Sequence, residues 1–236
     1  EEGTVDLAAP HQVPAEGRSP GPFGISVMRD PITMSLRDLA WLMMGISDNA
    51  ATDVICAAVG IDAVNARLAD LGLTDTVLIG DCRALFATVS EDIGAELDAI
   101  DLTDAALLDR MRALDPTATS RSTPRQVTEL LARIWSDEAA SPEVCAEVRR
   151  ILSLQVWPHR LSSGFPEDDV RVSAKTGTLP RVRNECGVVE YGDGSRFAVA
   201  VFTRSASTTM KNPAADAVIG TAARCAVDLL RGVPAS

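Results

Sequence analysis

The feature that most constrains this chain is a change of period after residue 169. Before it, apolar residues recur at helical spacing. After it, VRVSAKTGTL (170–179), ECGVVEYG (185–192) and RFAVAVFTR (196–204) are short runs rich in β-branched residues, which reads as three strands. Gly192-Asp193-Gly194 supplies a tight turn between the last two. DAVIGTAARCAVDLLRG (216–232) then carries the apolar stripe of a helix that packs on a sheet. Helices first, an antiparallel meander next and a closing helix last predict an α+β fold. The expected division is a mainly helical subdomain over 1–160 and a sheet-bearing subdomain over 161–236, packed as one structural unit.

Within the helical part, residues 1–34 are rich in Pro and Gly and read as surface loop. Leu36, Leu39, Leu42 and Met43 fall at helical spacing with Ser35 as N-cap. A second helix follows Ser47-Asp48-Asn49 and stops at Gly60. A third runs over 61–72, with Asp62 as cap and Gly72 as stop. The stretch 74–122 is the least regular, with a helix expected at 103–114 and a turn-rich connector at 115–124. Thr123-Pro124 is a cap followed by a first-turn proline, opening a helix over 124–136, and another spans 141–154. Residues 157–169 read as loop.

Composition narrows the partners. With 46% hydrophobic residues but only three Trp, one Tyr and five Phe, the core is built from Ala, Val, Leu and Ile. A formal charge of −11 argues against nucleic acid and anionic membrane surfaces, both of which need basic residues to displace counterions. No apolar run approaches the ~20 residues of a membrane span. Five cysteines cannot all pair within one chain, and none has zinc-site spacing. Cys56, Cys145 and Cys225 lie in apolar or amphipathic runs as small core residues, which leans towards a reducing, cytoplasmic compartment. The first residue is Glu1, not Met, so secretion stays open. No metal or cofactor motif is present.

Of 22 basic residues only Lys175 and Lys211 are lysine, so a lysine placed for chemistry stands out. Lys175 opens Lys175-Thr176-Gly177 in the first strand; Ser47-Asp48-Asn49 sits at a helix junction. Alone, the Ser-Asp-Asn reads as a cap and the lysine as an edge-strand guard against aggregation. Together and in this order they resemble the S-D-N and K-T-G motifs of class A β-lactamases and penicillin-binding proteins. The flanks agree: SLRDLAWLMMGISDNAATDVI is similar to that family's helix through S-D-N, and SRSTPRQVTELL to its T-T-P helix start. The resemblance covers roughly residues 31–80 and 115–232.

It implies a β-lactamase/transpeptidase-like fold, an antiparallel sheet flanked by helices plus an all-helical subdomain. It also implies a serine hydrolase that forms an acyl-enzyme with a small-molecule β-lactam or related amide or ester. In that scheme Ser47 relays a proton to the leaving nitrogen, and Asn49 hydrogen-bonds substrate and the neighbouring lysine. Lys175 holds the Ser47 hydroxyl and attracts a substrate carboxylate. Thr176 binds that carboxylate, Gly177 lets substrate lie along the strand, and the Thr178 N–H is an oxyanion donor. Arg181 and Arg183 either receive the carboxylate bidentately or pair with Glu185 and Glu190.

Two departures stand out. No S-x-x-K occurs, since Val172 and Thr208 stand three positions before the two lysines. Thr208-Thr209-Met210-Lys211 copies the spacing, but it follows the last strand, where the family has no nucleophile. EEGTVDLAAPHQVPAE resembles the segment that comes shortly after S-x-x-K in the family. The expectation is therefore a nucleophilic serine upstream of Glu1, on an N-terminal segment that partners this one. The family's E-x-x-L-N is also not found; Glu91, Glu96 and Asp98 fall in the right interval, and Glu96 is the candidate water-activating base. His159, shortly before the K-T-G strand, is either a site residue or a surface histidine. Two alternatives share the fold: a D-Ala-D-Ala-type peptidase or esterase that releases β-lactams slowly, and a non-catalytic binding protein that lost the nucleophile.

Overall fold

The computed structural model describes residues 5–95 and 101–232. Its contacts divide the chain into two compact units, Glu1–Asp101 with Ala106–Ser122, and Leu102–Ala105 with Thr123–Ser236.

In the first unit, strands β1 (Pro10–Val13) and β2 (Ile32–Ser35) pair antiparallel, Pro10 opposite Ser35 and Val13 opposite Ile32. Sequence alone reads this region as loop. Its strands are only four residues long and largely solvent-facing, so they lack the alternation that marks a strand. The Ser35 hydroxyl accepts from the Asp38 N–H (3.1 Å) and starts α1 (Leu36–Trp41), as the cap pattern predicts. A π-type turn, Leu42–Ile46, continues it to Ser47. Helix α2 (Asn49–Val59) ends at Gly60, whose φ of 85° takes the chain out of the helix. Helix α3 (Ile61–Asp70) follows without a side-chain cap: its N-cap is Gly60, and Asp62 lies inside the first turn. Helix α4 (Cys82–Ile93) is framed by a cap bond from the Ala84 N–H to Asp81 (2.8 Å) and by Gly94 at φ 67°. The single helix expected at 103–114 is instead α5 (Ala105–Leu108) and a 3₁₀ turn at Arg112–Leu114. The Arg112 N–H and Nε both donate to Asp92 and its Nη2 to Glu91, so long-range bonds replace the helical ladder there. Val13, Ile25, Leu36, Leu39, Leu42, Ala50 and Ala51 form the core.

The main segment of the second unit begins at Thr123, whose hydroxyl caps α6 (Pro124–Trp135); Ser141 does the same for α7 (Pro142–Leu152). The change of period after residue 169 is a change of secondary structure inside this unit, because α6 packs on the sheet and α7 on its first strand. The sheet has the order β3 (Arg171–Leu179), β4 (Val182–Glu190), β5 (Arg196–Arg204), antiparallel throughout. β4 starts three residues before its apolar run suggests, because Pro180 and Arg181 form a two-residue turn with Arg181 at φ 62°. Helix α8 (Pro213–Arg231) closes the unit, packing Ala223 and Val227 with Leu161, Phe165, Val189 and Val199.

One close approach positions the site. A Cβ on Gly164 would lie 2.2 Å from the Gly220 carbonyl oxygen, and one on Gly220 would lie 2.5 Å from the Arg160 carbonyl oxygen. Two glycines therefore let the 3₁₀ turn Leu161–Gly164 press directly on α8.

Candidate active site

In the first unit, Ser47 is an exposed serine in the left-handed region (φ 63°, ψ 43°) at the end of the π-type turn. Such a conformation costs of the order of 1 kcal/mol or more and persists only where the surroundings impose it. The imposing residue is Asp48, 1% exposed. Its carboxylate accepts from the Ala51 N–H (3.1 Å), capping α2, and from the Ile25 N–H (2.5 Å) and the Ser26 hydroxyl (3.2 Å). Gly24 makes the approach possible: a Cβ there would stand 2.2 Å from Asp48 Oδ2. Asp48 is thus the cap and the tie for the loop, and Ser47 is left outside it.

Asn49 is held at both ends of its amide. Nδ2 donates to the Pro20 carbonyl (2.6 Å), and Oδ1 accepts from the Cys82 thiol (3.6 Å). Cys82 is the first residue of α4, anchored because the buried Asp53 accepts from the Cys82 and Arg83 N–H groups (2.9 and 3.2 Å). Burial, followed by the Asp53 charge, Cys56 and Asp81, pushes the Cys82 thiol up to about 12. It is a neutral thiol at any physiological pH. Glu91 lies on the surface, paired with Arg112. Glu96 and Asp98 lie outside the described residues.

In the second unit, Lys175, Thr176, Gly177 and Thr178 lie on β3, opposite Cys186, Glu185, Asn184 and Arg183 of β4. Lys175 Nζ donates to the Thr176 carbonyl (2.8 Å). The Thr176 N–H donates to Gln155 Oε1 (2.7 Å) and so points away from β4. Strand alternation places the Thr178 N–H on the same outer edge. Behind the motif lies Arg160, 3% exposed. It donates to Asp216 (2.7 Å), to the carbonyls of Gly177 and Asn184 (both 3.0 Å) and to the Thr178 hydroxyl (2.8 Å). A planar guanidinium can serve four acceptors at once where an ammonium cannot.

A model of the beta-lactamase enzyme family matches residues 1–230. The chain belongs to that family. Among its relatives, the beta-lactamase regulatory protein BlaB of Streptomyces cacaoi is 32% identical over 248 residues, covering 97% of this chain and 79% of BlaB. A beta-lactamase from Sphaerobacter thermophilus superposes with a TM-score of 0.75 at 26% identity, over 98% of this chain and 76% of that one. PBP-A gives the same TM-score at 20% identity, over 98% and 75%, and shows the fold alone.

For this beta-lactamase-family chain the candidate residues then sort as follows. Ser47 and Asn49 share the α2 start, and Lys175 to Thr178 share β3. Arg181 is in the β3–β4 turn. Arg183 is 3% exposed and donates to the carbonyls of Leu179, Val182 and Met210, beside Asp216. Its charged neighbour among the described residues is Asp216, not Glu185 or Glu190. Glu185 is bonded instead to Gln155 and Leu161, and Glu190 pairs with Arg196. His159 is exposed and edge-on to Trp157. Sequence reasoning missed Arg160, Gln155 and Cys82. Only the loop read at 157–169, before the K-T-G strand, pointed towards Arg160, and it drew attention to His159, its immediate neighbour.

Proposed function

We propose that this protein works by acyl transfer through serine on β-lactams or related amides and esters, and that its acyl-enzyme is released slowly. The chemistry divides cleanly. A serine oxygen attacks the carbonyl and gives up its proton, the carbonyl oxygen takes up charge facing the Thr178 N–H, and the C–N bond breaks as that proton is relayed through the Ser47 hydroxyl to the departing nitrogen. Lys175 and Thr176 supply charge and a hydroxyl for the substrate carboxylate, and Arg160 keeps Thr178 in place. None of the serines in this sequence opens an S-x-x-K.

The observation that carries slow release is the group beside Asn49. Deacylation needs a base to take a proton from water, and the side chain reaching Asn49 Oδ1 is a thiol held protonated. A neutral thiol cannot do that work. One structural neighbour is a PBP-A mutant captured as its acyl-enzyme complex with penicillin G, which is the kind of species proposed.

A second reading is a β-lactam sensor without turnover, favoured by the similarity to a protein named as a beta-lactamase regulator. Labelling of the full-length gene product with a fluorescent penicillin, beside hydrolysis of a chromogenic cephalosporin, separates the two. Covalent label that disappears in K175A, with little hydrolysis, supports acyl transfer. Reversible binding without label supports the sensor, and fast hydrolysis contradicts slow release.

A further inference from the structure

Glu185 is among the most deeply buried acids in the second unit, 1% exposed, and it lies opposite Thr176 of the K-T-G motif. Both of its oxygens are used. Oε1 accepts from Gln155 Nε2 (2.7 Å) and Oε2 from the Leu161 N–H. The same Gln155 turns its other end, Oε1, to the Thr176 N–H (2.7 Å). The result is one chain of three hydrogen bonds from the 3₁₀ turn to the outer edge of β3, with every donor and acceptor matched. Burial raises this carboxyl above the ordinary carboxylate value, the hydrogen bonds from Leu161 and Gln155 and the Arg160 guanidinium offset part of that rise, and Cys186 is its neighbour on β4.

The edge of β3 would otherwise present two equivalent donors, the outward N–H groups of Thr176 and Thr178, one strand repeat apart. A substrate carbonyl could then settle in either register, and only one brings its carbonyl carbon to the nucleophile. Resting on the acyl-transfer reading above, we propose that Gln155 and Glu185 are positioning residues that fix substrate register along β3, by occupying the Thr176 N–H and leaving that of Thr178 to face the carbonyl. Glu185 acts only through Gln155: a carboxylate fixes which end of the amide is the donor, and therefore that the oxygen faces Thr176.

The direction of each bond supplies the test. In E185Q, Leu161 keeps an acceptor but Gln155 then meets an amide donor. In the exchanged pair, Q155E with E185Q, the amide and the carboxylate trade places. The amide introduced at position 185 donates to the carboxylate introduced at position 155, which also accepts from Thr176, while Leu161 donates to the amide oxygen. All three bonds are restored, with the roles of the two side chains exchanged. Residue-resolved hydrogen exchange on the full-length protein should show Thr176 exchanging about fivefold faster or more in E185Q and in Q155A, the loss expected for one hydrogen bond. The exchanged pair should return it to within about twofold of the wild type.

The acylation rate at saturating penicillin should fall and recover in step, with the apparent substrate constant falling alongside it in the single variants, as nonproductive binding requires. Unchanged exchange at Thr176 in Q155A, or an exchanged pair no better than E185Q, overturns the proposal. A wild type that forms no adduct sinks the acyl-transfer reading itself, and with it the register role. Labelling with an unresponsive Thr176 sinks the positioning pair alone.

Discussion

Asp48 carries more of the S-D-N motif than its neighbours do. It joins a buried charge to three donors, two from the turn Gly24–Val27 and one from a helix start. Replacing it with alanine leaves those donors without their charged acceptor, and D48A is expected to lose about 3 kcal/mol or more. Urea unfolding measures that directly, and D48N should lose less because it keeps one acceptor. Cys82 makes the opposite case, a residue whose chemistry is withheld. A carboxylate there would face Asn49, and C82E is expected to speed release of a penicilloyl adduct by about a hundredfold, the lower range for a general base. The decay of label in C82E against wild type checks it.

Glu185 gives a signed pH effect. Burial raises its carboxyl above the ordinary carboxylate value, and its N–H donors, Arg160 and His159 offset only part of that. The native state therefore holds this proton to higher pH than the unfolded chain does. Stability falls as pH rises from the ordinary carboxylate range to the raised native value, then levels off above it. E185Q should remove that slope, as read from thermal unfolding of both proteins across the range.

At the level of elements, the contact between Gly164 and Gly220 is the most exposed to test. A methyl at Gly220 would meet the Arg160 carbonyl and Gly164 N, so the 3₁₀ turn would have to leave α8. G220A is expected to lower stability by about 1–3 kcal/mol, the usual range for overpacking, and to loosen the Arg160–Asp216 pair. A crystal structure of the variant, with its unfolding curve, checks both. The same elements show what the sequence made legible. Helices α1, α2, α6 and α7 begin at Ser35, Asp48, Thr123 and Ser141, each a side chain that accepts from a first-turn N–H. The strands of the sheet declare themselves through β-branched residues. What stays hidden is set by tertiary bonds. The β1–β2 pair has no period, and residues 103–114 are diverted by Asp92 and Glu91. Arg183 looks like a surface cation until its carbonyl partners close around it. The S-D-N and K-T-G triplets are readable because their chemistry is local, whereas Arg160, Gln155 and Cys82 reach the motifs only through folding.

For the molecule as a whole, the family assignment and the α+β fold rest on matches that run nearly the length of the chain. Among the described residues no helix is long and apolar enough to cross a membrane. The charge of −11 coexists with buried cations, because Arg160 and Arg183 are offset by Asp216 and by carbonyls in the interior. The proposed function requires a serine acyl-enzyme that forms and persists. Intact-protein mass of the full-length gene product, followed in time after free benzylpenicillin is removed, tests it most directly. The expected result is a single adduct of the whole penicillin mass that survives for many minutes. A protein that never gains that mass, or loses it as fast as it can be sampled, would contradict it.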